Sequence, residues 1–253
     1  MTQQTRTRDM EGIRDIASRI ISVDKMDPYA KVMVYGPHGS GKTRFIASAP
    51  KPLIIDVEER GTRSARGSGA KTVVISKWEE VGHAYWLLKS GKHPFESVGI
   101  DTVDALFHLA MDFVLDEAEE RDPTREKRMP DQRSYGRANN LIRGMILAFR
   151  NLNMHVIFAA HSRAITDEDT KEVTSVTVNL PAGSRSSVMD SVGILGYMQP
   201  KLARVNGKKQ WVDELIVGPD RLYDTKDRTN ALGPRLLRPT MDKVIQAWIG
   251  KEQ

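Results

Sequence analysis

Eight consecutive residues constrain this 253-residue chain more than any others: Gly36, Pro37, His38, Gly39, Ser40, Gly41, Lys42 and Thr43, spelling GPHGSGKT. The spacing fits G-x-x-x-x-G-K-[ST], and it falls between an apolar run, KVMVY, and a helical pattern that starts at Lys42. In that setting the glycines let backbone amides turn inward around phosphate oxygens, and the helix N-terminus adds partial positive charge. Lys42 then reaches the β- and γ-phosphates, and Thr43 offers a hydroxyl to Mg²⁺. The plain alternative is a glycine turn ahead of an ordinary helix; the agreement of motif with context favours a nucleotide.

From Lys31 onward apolar runs alternate with helical patterns: KVMVY, PLIIDV, TVVI, SVGID and HVIFAAHS are separated by amphipathic stretches. That alternation predicts an α/β fold, a mostly parallel sheet with helices on both faces. The β-rich segments KLARVN and KQWVDELIV, flanking Gly207-Lys208, predict antiparallel strands at a C-terminal edge, and a last helix is expected over 241–249. Hydrophobic residues at 40% suffice for one packed core and exclude disorder throughout. Residues 1–25 read as a polar arm whose Ile13, Ile16, Ile20 and Ile21 form a stripe that can dock on a neighbour, and 26–253 read as one domain. Between 119 and 137 a charge-dense run with two prolines, carrying six basic residues against three acids over 121–137, predicts a mobile loop, with helix resuming near Ala138.

Hydrolysis needs more than a phosphate cradle. Asp101 ends the run SVGID, where ligands of parallel sheets gather, and suits Mg²⁺; the competing reading makes Asp101-Thr102 the cap of the following helix. PLIIDVEERG brings Asp56 and Glu58 to the same edge. Glu58 is the expected general base because it lies just beyond the apolar run, with Asp104 in reserve and an exposed acidic turn as the alternative.

A P-loop, a strand ending in D-x-E (Asp56-Val57-Glu58), a strand ending in D-[ST] (Asp101-Thr102) and a strand ending in a polar residue occur here in the order that resembles the RecA-type recombinase core. The resemblance spans about 31–239 and is specific at those four strand ends. It implies a RecA-like P-loop NTPase core acting on ATP with Mg²⁺, Glu58 positioning the attacking water and Asp101 serving the metal. The switch position, usually glutamine, is occupied by His161, which can hydrogen-bond a γ-phosphate and relay its presence, or merely end a strand. The segment 164–189 corresponds to a loop that contacts single-stranded DNA and is commonly disordered without it. Lys171, Arg185, Ser184 and Ser186 are its phosphate-contacting candidates, and Arg163, just ahead of it and two residues after His161, is a further DNA-binding candidate. No aromatic residue lies there, so binding by this loop rests on phosphate contacts and should be strongly salt-dependent. Lys226 and Arg228 in YDTKDRTNALGP resemble the family's basic pair that reaches a neighbour's nucleotide; an exposed turn with Asp224 and Asp227 as partners is the alternative.

The compact length resembles bacteriophage ATPases with a RecA-like core that support single-strand annealing. The function so implied is an ATPase that binds single-stranded DNA and promotes annealing or strand exchange, as a homo-oligomeric ring or filament with ATP at subunit interfaces. A single-strand binding protein is a further candidate partner. Nine basic residues against five acids over 201–238 are compatible with a polyanionic partner, as is the net charge of +5. Rival readings are a helicase-like or AAA-type motor or loader, a DNA-annealing protein that uses ATP mainly as an assembly ligand, and last a small-molecule kinase, for which no lid or acceptor pocket is legible. Cysteine is absent, which excludes disulfide scaffolds and thiolate metal sites. Without an apolar stretch near ~20 residues, the expectation is a cytoplasmic protein with no membrane partner.

Overall fold

The apolar runs present alternate side chains to opposite faces, and the computed structural model, which describes residues 3–20, 22, 28–57, 61–124 and 126–250, arranges them in one mixed sheet. In chain order the elements are α1 (Gln3–Ser18), β1 (Lys31–Gly36), α2 (Lys42–Ala47), β2 (Pro52–Asp56), a 3₁₀ turn (Gly61–Ala65), β3 (Lys71–Val74), α3 (Trp78–Lys89) and β4 (Ser97–Asp101). There follow α4 (Val103–Arg121), α5 (Gln132–Arg150), β5 (His155–Thr166), β6 (Val173–Val178), α6 (Ala182–Ser191), β7 (Ile194–Val205), β8 (Lys208–Ile216), β9 (Lys226–Asp227), β10 (Arg235–Leu237) and α7 (Met241–Trp248).

Strand order across the sheet is β10-β8-β7-β1-β5-β4-β2-β3, with β6 beside β5 and β9 beside β7. The strands from β7 through β1, β5, β4 and β2 to β3 pair in parallel, whereas β8 and β10 add antiparallel strands at the C-terminal edge. This is the expected α/β architecture of a P-loop NTPase core. Val32 and Val34 of β1 face α2 and α7, through Phe45, Ile46, Met241 and Val244. Met33 and Tyr35 face the opposite layer, which holds Leu106, Ile142 and Phe149 of α4 and α5. Period-two alternation in a buried strand therefore dictates a two-sided helical coat. On β4, Gly99 lets α2 lie close: a Cβ there would sit 2.1 Å from Ile46 Cγ2.

Four boundaries differ from those expected of the sequence. Helix α5 starts at Gln132, not near Ala138, because Asp131 caps it by accepting from Ser134 N at 2.7 Å. The mobile loop expected over 119–137 is thereby cut to the stretch between α4 and α5, and Arg128 is tied to α4 through Asp116 at 2.8 Å. The segment 164–189, expected as an open loop, is the second half of a β5–β6 hairpin followed by α6; its β-branched residues pair antiparallel, with a bulge between Ile165 and Thr166. Tyr35 Oη donates to Val176 O at 3.0 Å and Asp224 O at 2.9 Å, anchoring β6 to the sheet. Finally, the first residues of β7 pair in parallel with β1 before the strand turns antiparallel partner to β8, and the tip is Asn206-Gly207, one residue earlier than expected. Both tip residues have positive φ, 50° and 77°, as a type I′ turn demands.

In α1, Met10, Ile13, Ile16 and Ile20 are exposed, and Ile21 lies outside the described residues. Among the described residues no helix is long and apolar enough to cross a membrane.

Candidate active site

The C-terminal ends of β1, β4 and β5 lie side by side, Gly36 in register with His161 and Asp101 with Ala159. Ligands of parallel sheets collect at this edge. Leaving β1, the chain makes the loop that the motif requires, with Gly39 at φ 74° and Gly41 at φ 93°, both left-handed. Gly41 is doubly constrained, because a Cβ there would stand 2.4 Å from the Asp213 carboxylate of β8. Asp213 in turn accepts from Arg44 Nη2 at 2.8 and 2.9 Å, clamping β8 to α2 from behind the loop.

Lys42 is buried, and its Nζ donates to Gly36 O at 3.0 Å and Pro37 O at 2.9 Å, so the ammonium is folded over the loop mouth. Thr43 Oγ1 donates to Asp101 Oδ2 at 2.6 Å. Asp101 is buried, and Thr102 rather than Asp101 caps α4, accepting from Ala105 N at 3.4 Å. Of the two readings of this pair, the capping role thus falls to Thr102, leaving the aspartate turned toward the P-loop threonine.

These groups line a cavity of about 260 Å³ together with His38, Gly61, Ser64 and His161. The donor set fits a nucleotide and its metal. Ser40 Oγ is fully buried in the loop without a hydrogen-bond partner among the described residues, the two left-handed glycines open the cradle, and Thr43 with Asp101 supplies hard oxygens. A larger groove, of about 720 Å³, is lined by Glu79, Asp116, Glu117, Glu119 and Glu120 and would repel a polyphosphate.

Asp56 is buried and accepts from Thr62 Oγ1 at 3.0 Å, so it anchors the 3₁₀ turn that brings Gly61 and Ser64 to the cavity. Glu58 lies outside the described residues. His161 ends the parallel part of β5, and Asp104 holds it twice: the backbone N–H donates to Oδ1 at 2.9 Å and Nδ1 lies 2.7 Å from Oδ2. Opposite a carboxylate, Nδ1 is the protonated nitrogen. Burial pushes the Asp104 carboxyl up, but the His161 bonds and charge outweigh it and hold it below the ordinary carboxylate range. The His161 ring lies 3.9 Å from that of His38, and this pair separates the nucleotide cavity from a neighbouring one of about 520 Å³. In the sequence Asp104 stands only as a reserve base; the signal for its pairing with His161 is its place one helical turn after Asp101. Asp213 carries no such signal, since it lies on a strand remote in sequence from Arg44.

The remaining candidates lie elsewhere. Arg163 is exposed on β5, Lys171 is exposed beyond the end of that strand, and Arg185 is half-buried on α6. Ser184 is buried and donates to Pro181 O at 3.3 Å, so a phosphate cannot reach it. Lys226 sits beside Leu195, level with Met33 of β1 and three residues short of Gly36, so it is outside its own chain's cavity. Its Nζ donates to Met189 O at 2.8 Å, and Arg228 Nη2 donates to Asp190 O at 3.4 Å, both at the carbonyl end of α6. Burial first, then the Arg228 charge, holds the Lys226 ammonium below the ordinary lysine range despite Asp190.

A glycine-rich loop at the end of a parallel strand, its lysine folded over the mouth and its threonine bonded to an aspartate one strand beyond the neighbour, defines a P-loop NTPase site. A family model for an AAA domain matches residues 29–229, and the chain belongs to that family of P-loop ATPases. A search of curated proteins finds no match.

Proposed function

We propose that the protein is a Mg²⁺-ATP-dependent ATPase with a RecA-like core that assembles on single-stranded DNA and promotes annealing or strand exchange. The Thr43–Asp101 hydrogen bond carries the ATPase part: it joins the two oxygens that would hold the metal, within the cavity that Lys42 lines. A bound Mg²⁺ would neutralise charge on the β- and γ-phosphates. Lys42 would supply further positive charge, and Glu58 would orient the attacking water.

His161 is the link from nucleotide to nucleic acid. It lines the cavity and opens directly into the antiparallel half of β5, which carries Arg163. A change at its ring can thus reach the hairpin through one continuous strand. Lys226 and Arg228, outside their own cavity, are suited to a neighbour's nucleotide, which makes turnover depend on assembly.

The test is binding of a labelled single-stranded oligonucleotide with a non-hydrolysable ATP analogue, with ADP and without nucleotide, followed by annealing of complementary strands. Tighter binding in the ATP state with faster annealing is expected; equal binding in all three states would remove the link. The family match favours one second reading, an AAA-type motor or loader, for which ATP-driven duplex unwinding or translocation would be the distinguishing result.

A further inference from the structure

Beyond Tyr197, β7 leaves β1 and pairs with β8 to Val205, so the hairpin end projects from the sheet. Register fixes what its outer face displays. Leu202 lies opposite Trp211 and Arg204 opposite Lys209, and alternation puts both pairs on one side. Trp211 is 70% exposed, an unusual state for the largest apolar side chain, and Leu202 beside it is also exposed. Arg204, Lys208 and Lys209 make no ion pair or side-chain hydrogen bond among the described residues. The acids at the hairpin base are already engaged, Asp213 by Arg44 and Glu214 by Lys201, Arg235 and Gln199. The tip is therefore positive, with an aromatic face among its cations.

We propose that this end of the β7–β8 hairpin binds single-stranded nucleic acid, Trp211 stacking on a base while Arg204 and Lys209 on the same face contact backbone phosphates. This rests on the single-strand reading above and places the stacking contact away from 164–189, where no aromatic residue is available. An unpaired cluster of cations around one exposed indole matches a strand of bases and phosphates better than a protein surface, which would need a wider apolar area. Asp213 shares the face of Trp211, one pair nearer the sheet, and holds Arg44 of the P-loop helix. A strand seated here thus lies next to the nucleotide site.

Anisotropy titrations of a labelled oligothymidylate by the full chain, in the presence of a non-hydrolysable ATP analogue and over a salt series, test the assignment. Trp211→Ala should weaken binding about tenfold or more, and Trp211→Phe should stay within a few-fold of wild type, because either ring stacks. Replacing Arg204 and Lys209 together by alanine should flatten the dependence of log affinity on log salt by about 0.7 for each phosphate that is no longer neutralised. All three variants should keep the wild-type melting temperature. If wild type binds but these variants bind equally well with an unchanged salt slope, the hairpin is not the site and the single-strand reading stands on other residues. If they instead change only the sedimentation size, the face joins copies of the chain and the proposal is overturned. No binding by wild type overturns both.

Discussion

Thr43 and Asp101 meet at 2.6 Å, a contact between residues 58 apart in sequence that marks the proposed metal position. Glu58→Gln should retain ATP but lose about 10²–10⁴ in turnover, since an amide cannot accept the water's proton; nucleotide binding and single-turnover hydrolysis measured side by side would separate the two effects. Asp104 belongs to the same scale. Removing its carboxylate strands the part-buried His161 N–H, so Asp104→Ala should cost about 1–3 kcal/mol in urea unfolding. Its folded pKa lies below the ordinary value, so the stability it confers is complete above the unfolded value of about 3.9 and is lost as pH falls through the folded value. In the alanine variant that part of the acid limb should vanish, and an unchanged slope below about pH 4 would mean that the His161 contact does not perturb the carboxyl.

Elements hold these residues in place through close approach. Helix α2 rests on β4 at Gly99, and Gly99→Ala drives a methyl into Ile46, which should destabilise the fold by about 1–3 kcal/mol; a wild-type denaturation midpoint would show that α2 can shift without cost. Much of this level is legible in the sequence. Buried parallel strands read as continuous apolar runs, so β1, β2, β4 and β5 are evident, as is the phosphate loop with its left-handed glycines. The D-[ST] end of β4 is visible too, though not which of Asp101 and Thr102 caps α4. What escapes is set by pairing across the chain. The hairpin β5–β6 looks like a loop because its strand residues are polar as well as β-branched, and only β5 can supply its partner edge. Helix α5 hides its first turns in a charged run, since the cap at Asp131 and the tie from Arg128 to α4 concern few residues. Asp213 cannot be found at all, for its meaning lies in a strand register that brings it beneath Gly41.

At the scale of the whole molecule, the nucleotide cavity is built within one chain, while two cations that suit a transferring phosphate lie outside it. If they complete a neighbour's site, Lys226→Ala and Arg228→Ala should lower turnover about 10³-fold or more without abolishing ATP binding, and wild-type specific activity should rise with protein concentration. A rate per chain that is independent of concentration, with undiminished variants, would confine both residues to the end of α6. The central claim is that hydrolysis at the Lys42, Thr43 and Asp101 site answers to single strands. Steady-state ATP hydrolysis by the purified chain, with and without single-stranded DNA, duplex DNA and RNA and beside Lys42→Ala, tests it most directly. Mg²⁺-dependent turnover is expected, absent in the alanine variant and stimulated by single-stranded DNA above the other polymers; turnover that is indifferent to every nucleic acid would contradict the claim.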